Sequence, residues 1–551
     1  MSEIFILAGS KLPKEFLNQR NIVSLDIFTR DKYGLEYSLC DFDSTLDKRA
    51  LVEDVDDLLN FVAEGKDEFA YLPLALNQVY HRCLAFKKYQ HRLELLLSNF
   101  DTGVKSVTLS SADDYILVEA MKSVCKVRNI KYKVLNYKFN PVVSRFQYSD
   151  LIDIPKKREL DFLNFPILFA FWSRLVNNTN VICMNYPNLA KLKLPKFSLS
   201  YFSIVSKLIS RLSYKNTRHD LTSHIARNSI FFDSILEVVL GKLDDYHHAK
   251  IFTNEVCCFL EDYPLEDLDK IVDRIAKFLK TTGANHIVTH DSLAASARLI
   301  SLIMHKLKGY VSYLPHGILM YDKTYLGYWP YKPDSILAWT KDAEKKYLSL
   351  NNNTIFTGHP SIHREDKDID FRPDFLPLSS SNKILVVLSS GDFDYPDEFI
   401  RDAITLNKLL VDKFSIYADF KYRSSDTADF YRGLSEELGI AINYLDSNVA
   451  LETIYKSYNL VIVCMFSTVI LEVIESGVPL IIYSRQQLDL DLIDQQKLPV
   501  FNSIVKLGEF LGHGDYKKYC VYQDLVRENL NIFNSKDFIS QLIKSNSNEG
   551  F

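Results

Sequence analysis

In the stretch NLVIVCMFSTVILEVIESGVPLIIY, residues 459–483, Phe466-Ser467-Thr468 stands directly behind a fully apolar run and in front of a helical pattern. A buried strand that runs into a helix start brings free backbone N–H groups, the positive end of the helix and two hydroxyls to one spot. That combination suits a phosphate. Glu472, one turn into the helix, is placed to accept hydrogen bonds from a ribose. The alternative makes Ser467 an ordinary helix cap and Glu472 a solvated helix residue.

Three further loops carry chemistry. In GYVSYLPHGILMYDKTY, residues 309–325, a strand ending at Leu314 delivers His316 and Gly317. The histidine can titrate near neutral pH, and the glycine allows close backbone approach to a ligand; a structural histidine is the plainer alternative. In NHIVTHDSLAASARLI, residues 285–300, a strand ends at Thr289 before His290-Asp291-Ser292. Asp291 can serve as a general base toward an attacking hydroxyl, with His316 the second candidate, or else Asp291 or Ser292 simply caps the next helix. The loop LSSADDY, residues 109–115, offers Asp113 and Asp114 as caps or acceptor contacts. Ser389, Ser390 and Gly391 follow the strand pattern KILVVLS and are small enough for backbone approach to a phosphate.

The elements that must position these loops alternate β-branched or aromatic runs with amphipathic stretches, the pattern of parallel sheets covered by helices. Strands are expected at 383–389, 415–421, 440–445, 460–464 and 479–483, with helices at 397–411, 426–438, 450–458 and 467–476 between them. These make one Rossmann-like domain. Earlier strands are expected at 4–8, 69–72, 106–109, 131–135, 286–289, 310–314, 335–339 and 354–357, giving a second. The expected division is an N-terminal domain over 1–360 with a helical insertion at about 140–280, a charged and Ser/Pro-rich linker over 361–382, a C-terminal domain over 383–520 and a helical tail over 521–551. The fold class is α/β, with ligands at the carboxyl ends of both sheets.

Length and composition bound the rest. The 551 residues exceed one hydrophobic core, and 47% apolar with 25% charged residues is far from the composition of disordered chains. A net charge of −5 gives no global pull toward nucleic acid. Eight cysteines without C-x-x-C spacing suggest neither a zinc site nor a disulfide framework. The acidic pairs Asp489-x-Asp491 and Asp244-Asp245 and the neighbouring His247-His248 read as solvated faces, so no metal is expected. The N-terminus has no basic region or cleavage site of a signal peptide, and the most apolar window, 162–176, is interrupted by Pro166 and Arg174. A cytoplasmic location is expected. Residues 162–219 contain eight basic residues, no acidic ones and many aromatics. This segment suits either contact with anionic lipid or a lipid-linked acceptor, or a solvated helical face with a buried aromatic side.

The pattern ETIYKSYNLVIVCMFSTVILEVIESGVPLII resembles the donor-nucleotide half of GT-B glycosyltransferases. The resemblance covers roughly 383–484 and implies that Ser467 and Thr468 meet the donor's phosphates and Glu472 its ribose. The ordered set LPHG, AWT and TGHP is similar to bacterial capsule, O-antigen and wall-polymer transferases, including Kdo transferases and CDP-glycerol polymerases. A His-Pro motif contacts the nucleotide in bacterial sialyltransferases, but at the place matching it this chain has DFKYRSSD. Lys421 and Arg423 thereby become candidate counter-charges, and His359 a residue of the hinge or cleft edge.

The resemblance implies two Rossmann-like domains facing a cleft. It implies an inverting glycosyltransferase that uses a nucleotide-sugar donor, CMP-Kdo or another CMP-ulosonic acid among them, and a surface glycan or lipid-linked glycan acceptor. No cofactor, metal or nucleic acid is implied, and a peripheral contact with the inner membrane is a further expectation. A CDP-glycerol-type polyol-phosphate transferase and a non-catalytic GT-B-like subunit of a polysaccharide assembly complex are the alternatives.

Overall fold

A computed structural model describes the chain apart from residues 1, 9–20, 26–29, 31–32, 43–45, 47, 101–102, 112–113, 136–180, 185–195, 198–230, 290–294, 316–332, 350, 352, 359–375, 389–396, 423–424, 447–448, 465–466, 468, 486–492 and 531–551. The described residues form three parallel sheets layered with helices. The α/β class read from the sequence therefore holds.

The first sheet contains β1 (Ser2–Leu7), β2 (Ile22–Ser24), β3 (Tyr37–Ser38), β4 (Val104–Leu109) and β5 (Lys131–Val134), in the order β3-β2-β1-β4-β5. The second contains β6 (Val181–Met184), β7 (Lys196–Phe197), β8 (His286–Thr289), β9 (Tyr310–Tyr313), β10 (Ser335–Ala338) and β11 (Thr354–Phe356), ordered β11-β10-β9-β8-β6-β7. The third contains β12 (Ile384–Val387), β13 (Asp419–Lys421), β14 (Asn443–Tyr444), β15 (Leu460–Cys464), β16 (Leu480–Tyr483) and β17 (Val500–Phe501), ordered β14-β13-β12-β15-β16-β17.

The third order is the Rossmann 3-2-1-4-5-6 arrangement, and the second follows the flavodoxin-like pattern. In each, the chain steps outward on one side and then returns to the other, so crossovers leave two adjacent strands in opposite directions. The crevice lies between β12 and β15 in the third sheet and between β6 and β8 in the second. Strands β8, β10, β12, β15 and β16 are buried along their whole length, as their near-continuous apolar runs require.

Several sequence expectations are corrected. The first half carries two sheets: β1 to β5 pair with one another in a sheet of their own, which shares one hydrophobic core with the second sheet. The strand expected at 69–72 is replaced by 3-10 turns at Asp67–Phe69 and Leu72–Ala75, where Pro73 cannot donate to a ladder. The stretch expected to be a helical insertion contributes β6 and β7 to the second sheet beside its helices Phe232–Leu240, Tyr246–Asp262 and Leu265–Thr282. The helix expected at 450–458 is two 3-10 turns, Leu451–Thr453 and Tyr455–Ser457. The helix Lys517–Leu530 straddles the boundary expected near 520. It reaches the helix Lys341–Leu348, which follows β10 of the second sheet, because Tyr522 donates to Asp342 Oδ2 at 2.7 Å. The rest of the expected tail lies outside the described residues.

The Asp245, His247 and His248 group is also corrected: it is a packed polar core rather than a solvated face. Asp245 caps the Tyr246–Asp262 helix, accepting from the backbone of His247 and His248 and from Ser123 Oγ at 2.9 Å. His248 is 5% exposed and stacks on Phe86, and burial pushes its imidazole down to about 3, so it is neutral. Glu119 stands beside them, with Lys250 Nζ at 2.8 Å, Lys122 Nζ at 3.0 Å and His247 Nδ1 at 2.6 Å. Burial would raise the Glu119 carboxyl, but the hydrogen bonds from His247, Lys250 and Lys122 outweigh it and hold it at about 2.

A depressed carboxyl adds stability above its unfolded pKa of about 4.5, and that stability is lost as pH falls through the folded value of about 2. Glu119→Gln is expected to cost about 3 kcal/mol at pH 7. In thermal melts taken across pH, the gap between wild type and variant should close between pH 4.5 and 2. A gap independent of pH in that range overturns the assignment.

No helix among the described residues is long and apolar enough to cross a membrane.

Candidate functional site

Strands β12 and β15 pair in parallel, Val387 against Val463, and end side by side at the crevice of the third sheet. The chain leaves β12 toward Ser389, Ser390 and Gly391, and leaves β15 toward Phe466, Ser467 and Thr468. Two motifs separated by some 75 residues of sequence thus issue from neighbouring strand ends. Of these residues Ser467 is described: it is half-buried, and its carbonyl accepts from Ile470 N at 3.0 Å as the helix Val469–Ser476 begins. Cys464, the last residue of β15, is 1% exposed, and burial pushes its thiol up to about 12. It stays protonated at neutral pH and is no nucleophile.

Glu472 sits in the first turn of that helix, half-buried. Tyr455, 1% exposed in the preceding 3-10 turn, donates its hydroxyl to Glu472 Oε2 at 3.0 Å. The carboxylate is therefore held in one orientation rather than waving in solvent. Tyr455→Phe removes this donor and is expected to lower stability by about 0.5–1.5 kcal/mol, read as a lower melting temperature. A variant as stable as wild type would show that the hydroxyl does not hold the carboxylate.

Lys421 closes β13, one strand beyond β12. It is 4% exposed, its Nζ donates to the Asp446 carbonyl at 2.5 Å, and burial lowers its pKa below the usual lysine value. Its charge is thus directed into the structure. On the far side of β15, the residues that end β16 form a bridge to the Asp397–Phe414 helix. Tyr483 and Arg485 both donate to Asp402, Arg485 Nη2 at 2.5 Å, and Phe399 stacks on Tyr483 at 5.5 Å and 6°.

In the second sheet, Thr289 ends β8 at the crevice and is wholly buried, and Asp291 follows two residues later. His286, at the amino end of the same strand, bonds Ser312 Oγ at 2.7 Å, and burial holds its imidazole down near 3. It is a neutral structural histidine. Asp114 is a helix cap, accepting from Leu117 N at 3.0 Å, and also accepts from Tyr89.

Thus Lys421, Ser467 and Glu472 are placed at or beside the third sheet's carboxyl edge. Asp291, His316, Gly317, His359, Ser390, Gly391, Arg423 and Thr468 lie outside the described residues, as do Asp113, Asp489, Asp491 and the basic and aromatic side chains of the segment 162–219. Sequence reasoning missed Tyr455 and the Asp402–Tyr483–Arg485 bridge. Arg485 was within reach of the same rule that selected Ser467, since it is the second residue after a buried parallel strand. Tyr455 carries no such signal, because its role comes from a turn folding back onto a helix.

No family model matches the chain, and no curated protein does. Among solved structures, the Staphylococcus aureus MnaA–UDP complex overlaps 51% of this chain and 79% of its own at 12% identity and a TM-score of 0.35. The lipopolysaccharide outer core galactosyltransferase WaaB overlaps 51% and 81%, at 13% identity and 0.36. The spinosyn rhamnosyltransferase SpnG, complexed with its aglycone, overlaps 85% and 96%, at 8% identity and 0.32. At such scores the chemistry rests on this chain's own residues.

Proposed function

We propose that this chain is a glycosyltransferase of the GT-B type that moves a sugar from a nucleotide donor to a bacterial surface glycan. The observation that carries the reading is the third sheet: its crevice lies between the two strands whose exits bear Ser389-Ser390-Gly391 and Phe466-Ser467-Thr468. Open α/β sheets bind ligands at that crevice. The donor phosphate would sit at the start of the Val469–Ser476 helix, on backbone N–H groups and the Ser467 and Thr468 hydroxyls. Glu472, oriented by Tyr455, would accept from the ribose hydroxyls. Ser390 and Gly391 would face the same phosphate. Arg423 would supply counter-charge, and Lys421 could do so only after leaving the Asp446 carbonyl.

On the acceptor side, Asp291 would take the proton of the attacking hydroxyl, with His316 the second candidate and Gly317 and His359 lining the cleft. The hydroxyl oxygen bonds the anomeric carbon as the bond from that carbon to the phosphate oxygen breaks, and the nucleotide leaves with the electron pair. Helix-end N–H groups and basic side chains stabilise the developing phosphate charge without requiring a cation. By the sequence resemblance the donor is a CMP-ulosonic acid such as CMP-Kdo, the acceptor is a glycan or lipid-linked glycan, and the work is done on the cytoplasmic side with peripheral membrane contact through 162–219.

The test is a panel of CMP-, CDP-, UDP-, GDP- and dTDP-sugars in thermal-shift and donor-hydrolysis assays. Stabilisation and turnover with one nucleotide class support the reading. Stabilisation without turnover, with acceptor glycans present, turns it toward a binding subunit, and no response to any nucleotide overturns it.

A further inference from the structure

The edge strand β5 closes the first sheet with a charge pattern that no role assigned so far uses. From Ala120 to Leu135 the sequence has five basic residues and no acidic one, and residues 120–219 hold 18 basic against 4 acidic in a chain of net charge −5. Positive charge is concentrated here. The helix Tyr115–Val127 ends at this edge: Arg128 Nη2 donates to the Glu94 carbonyl at 3.2 Å and to Ser98 Oγ at 2.7 Å, which holds the helix end beside that of Leu76–Asn99. Asn129, at a φ of 53°, and the bond from Ile130 N to the Cys125 carbonyl at 2.8 Å then turn the chain directly into β5. Lys131 lies opposite Ser106, next to Lys105 of β4.

Lys105, Lys126, Arg128, Lys131 and Lys133 are all exposed at this corner, and among them stand two large apolar side chains, Val127 at 78% and Tyr132 at 48% exposure. Lysines along an edge strand protect it against pairing with another chain. That accounts for Lys131 and Lys133, but not for the cations at the helix end or for the exposed Val127 and Tyr132. A soluble polyanion would be met by the cations alone. A bilayer with anionic headgroups takes both parts of the pattern, because the charges rest at headgroup level while aliphatic and phenolic side chains enter the interface.

We infer that the corner formed by β5 and the end of the helix Tyr115–Val127 is a docking surface for an anionic bilayer. The inference is independent of the nucleotide site. It also goes beyond the contact proposed for 162–219, since it sets the amino ends of β4 and β5 against the lipid. The test is co-sedimentation of the full-length protein with vesicles of phosphatidylcholine and of an equal mixture of phosphatidylcholine and phosphatidylglycerol.

Wild type should partition onto the mixed vesicles and not onto the neutral ones. Each basic residue near an anionic surface contributes about fivefold, so Lys126→Gln plus Lys131→Gln plus Lys133→Gln should lower that partition about 100-fold. Those three side chains are exposed and make no ion pair or hydrogen bond among the described residues, so the melting temperature should hold. Val127→Ser removes apolar surface that is already in water in the free protein and should lower partition about 2- to 5-fold at unchanged stability. A triple variant that binds the mixed vesicles as wild type does overturns the inference and leaves a contact through 162–219 in place. So does Val127→Ser binding like wild type, which marks a site for a soluble polyanion. Self-association of the triple variant with vesicle binding intact returns the lysines to edge protection alone. A wild type that stays off the mixed vesicles overturns both membrane contacts and leaves the nucleotide site untouched.

Discussion

The double variant Ser467→Ala plus Thr468→Ala should lose the melting-temperature rise that its preferred nucleotide gives the wild type. A hydroxyl that donates to an anion contributes about 1.5–3 kcal/mol, so removing two lowers affinity by about 10²–10⁴-fold. At a nucleotide concentration of about 100 Kd the wild type gains about 2.7 kcal/mol by mass action, and a hundredfold loss leaves about 0.4 kcal/mol. The competing account, in which Ser467 only caps the Val469–Ser476 helix, makes a different prediction. Loss of a cap costs about 1 kcal/mol of intrinsic stability, so the ligand-free melting temperature falls while the nucleotide-induced rise survives intact. The difference between melts with and without ligand therefore separates the two, and a surviving rise sinks the phosphate seat.

How far the sequence reveals this molecule depends on which interactions are local. The run Leu460–Cys464 is legible because a strand buried on both faces must be apolar at every position, and it is found with those bounds. The helix starting near Ser467 is equally legible from its period. By contrast β2, β3 and β17 have two or three residues each, too few to show any period, and their existence is decided by the partner strand. The division of the first half into two sheets is hidden for the same reason: β1, β4 and β5 look like β8 to β11 in sequence, and only pairing assigns them to different sheets.

At the site, residues adjacent to strand ends could be read and residues that fold back onto them could not. Ser467 and Glu472 follow from one continuous segment, whereas Tyr455 meets Glu472 through a turn whose helical period misled. The Asp245–Glu119 network shows the opposite failure. Charged and histidine residues in a row look solvated, yet three helices, Leu76–Asn99, Tyr115–Val127 and Tyr246–Asp262, bring Gln90, Ser123, Glu119 and Lys250 around them, so the Asp245 and Glu119 carboxylates find their partners inside the protein.

Asp291→Asn should lower turnover by about 10²–10⁴-fold while nucleotide affinity stays at the wild-type value, because proton abstraction is needed only in the transition state. The substitution keeps size and hydrogen-bonding capacity but removes the basic oxygen. In the sequence Asp291 stands two residues after Thr289, the wholly buried last residue of β8 at the crevice of the second sheet. The neighbouring histidine of that strand, His286, is neutral and tied to Ser312, so it cannot substitute as the base. The pH–rate profile supplies a second readout. A carboxylate base gives the wild type an acid limb in kcat/KM, which Asp291→Asn should abolish. If instead Asp291→Asn turns over near the wild-type rate and His316→Asn carries the loss, the base is the histidine, and Asp291 returns to the cap role that its place before the Ala295–Lys306 helix equally suits.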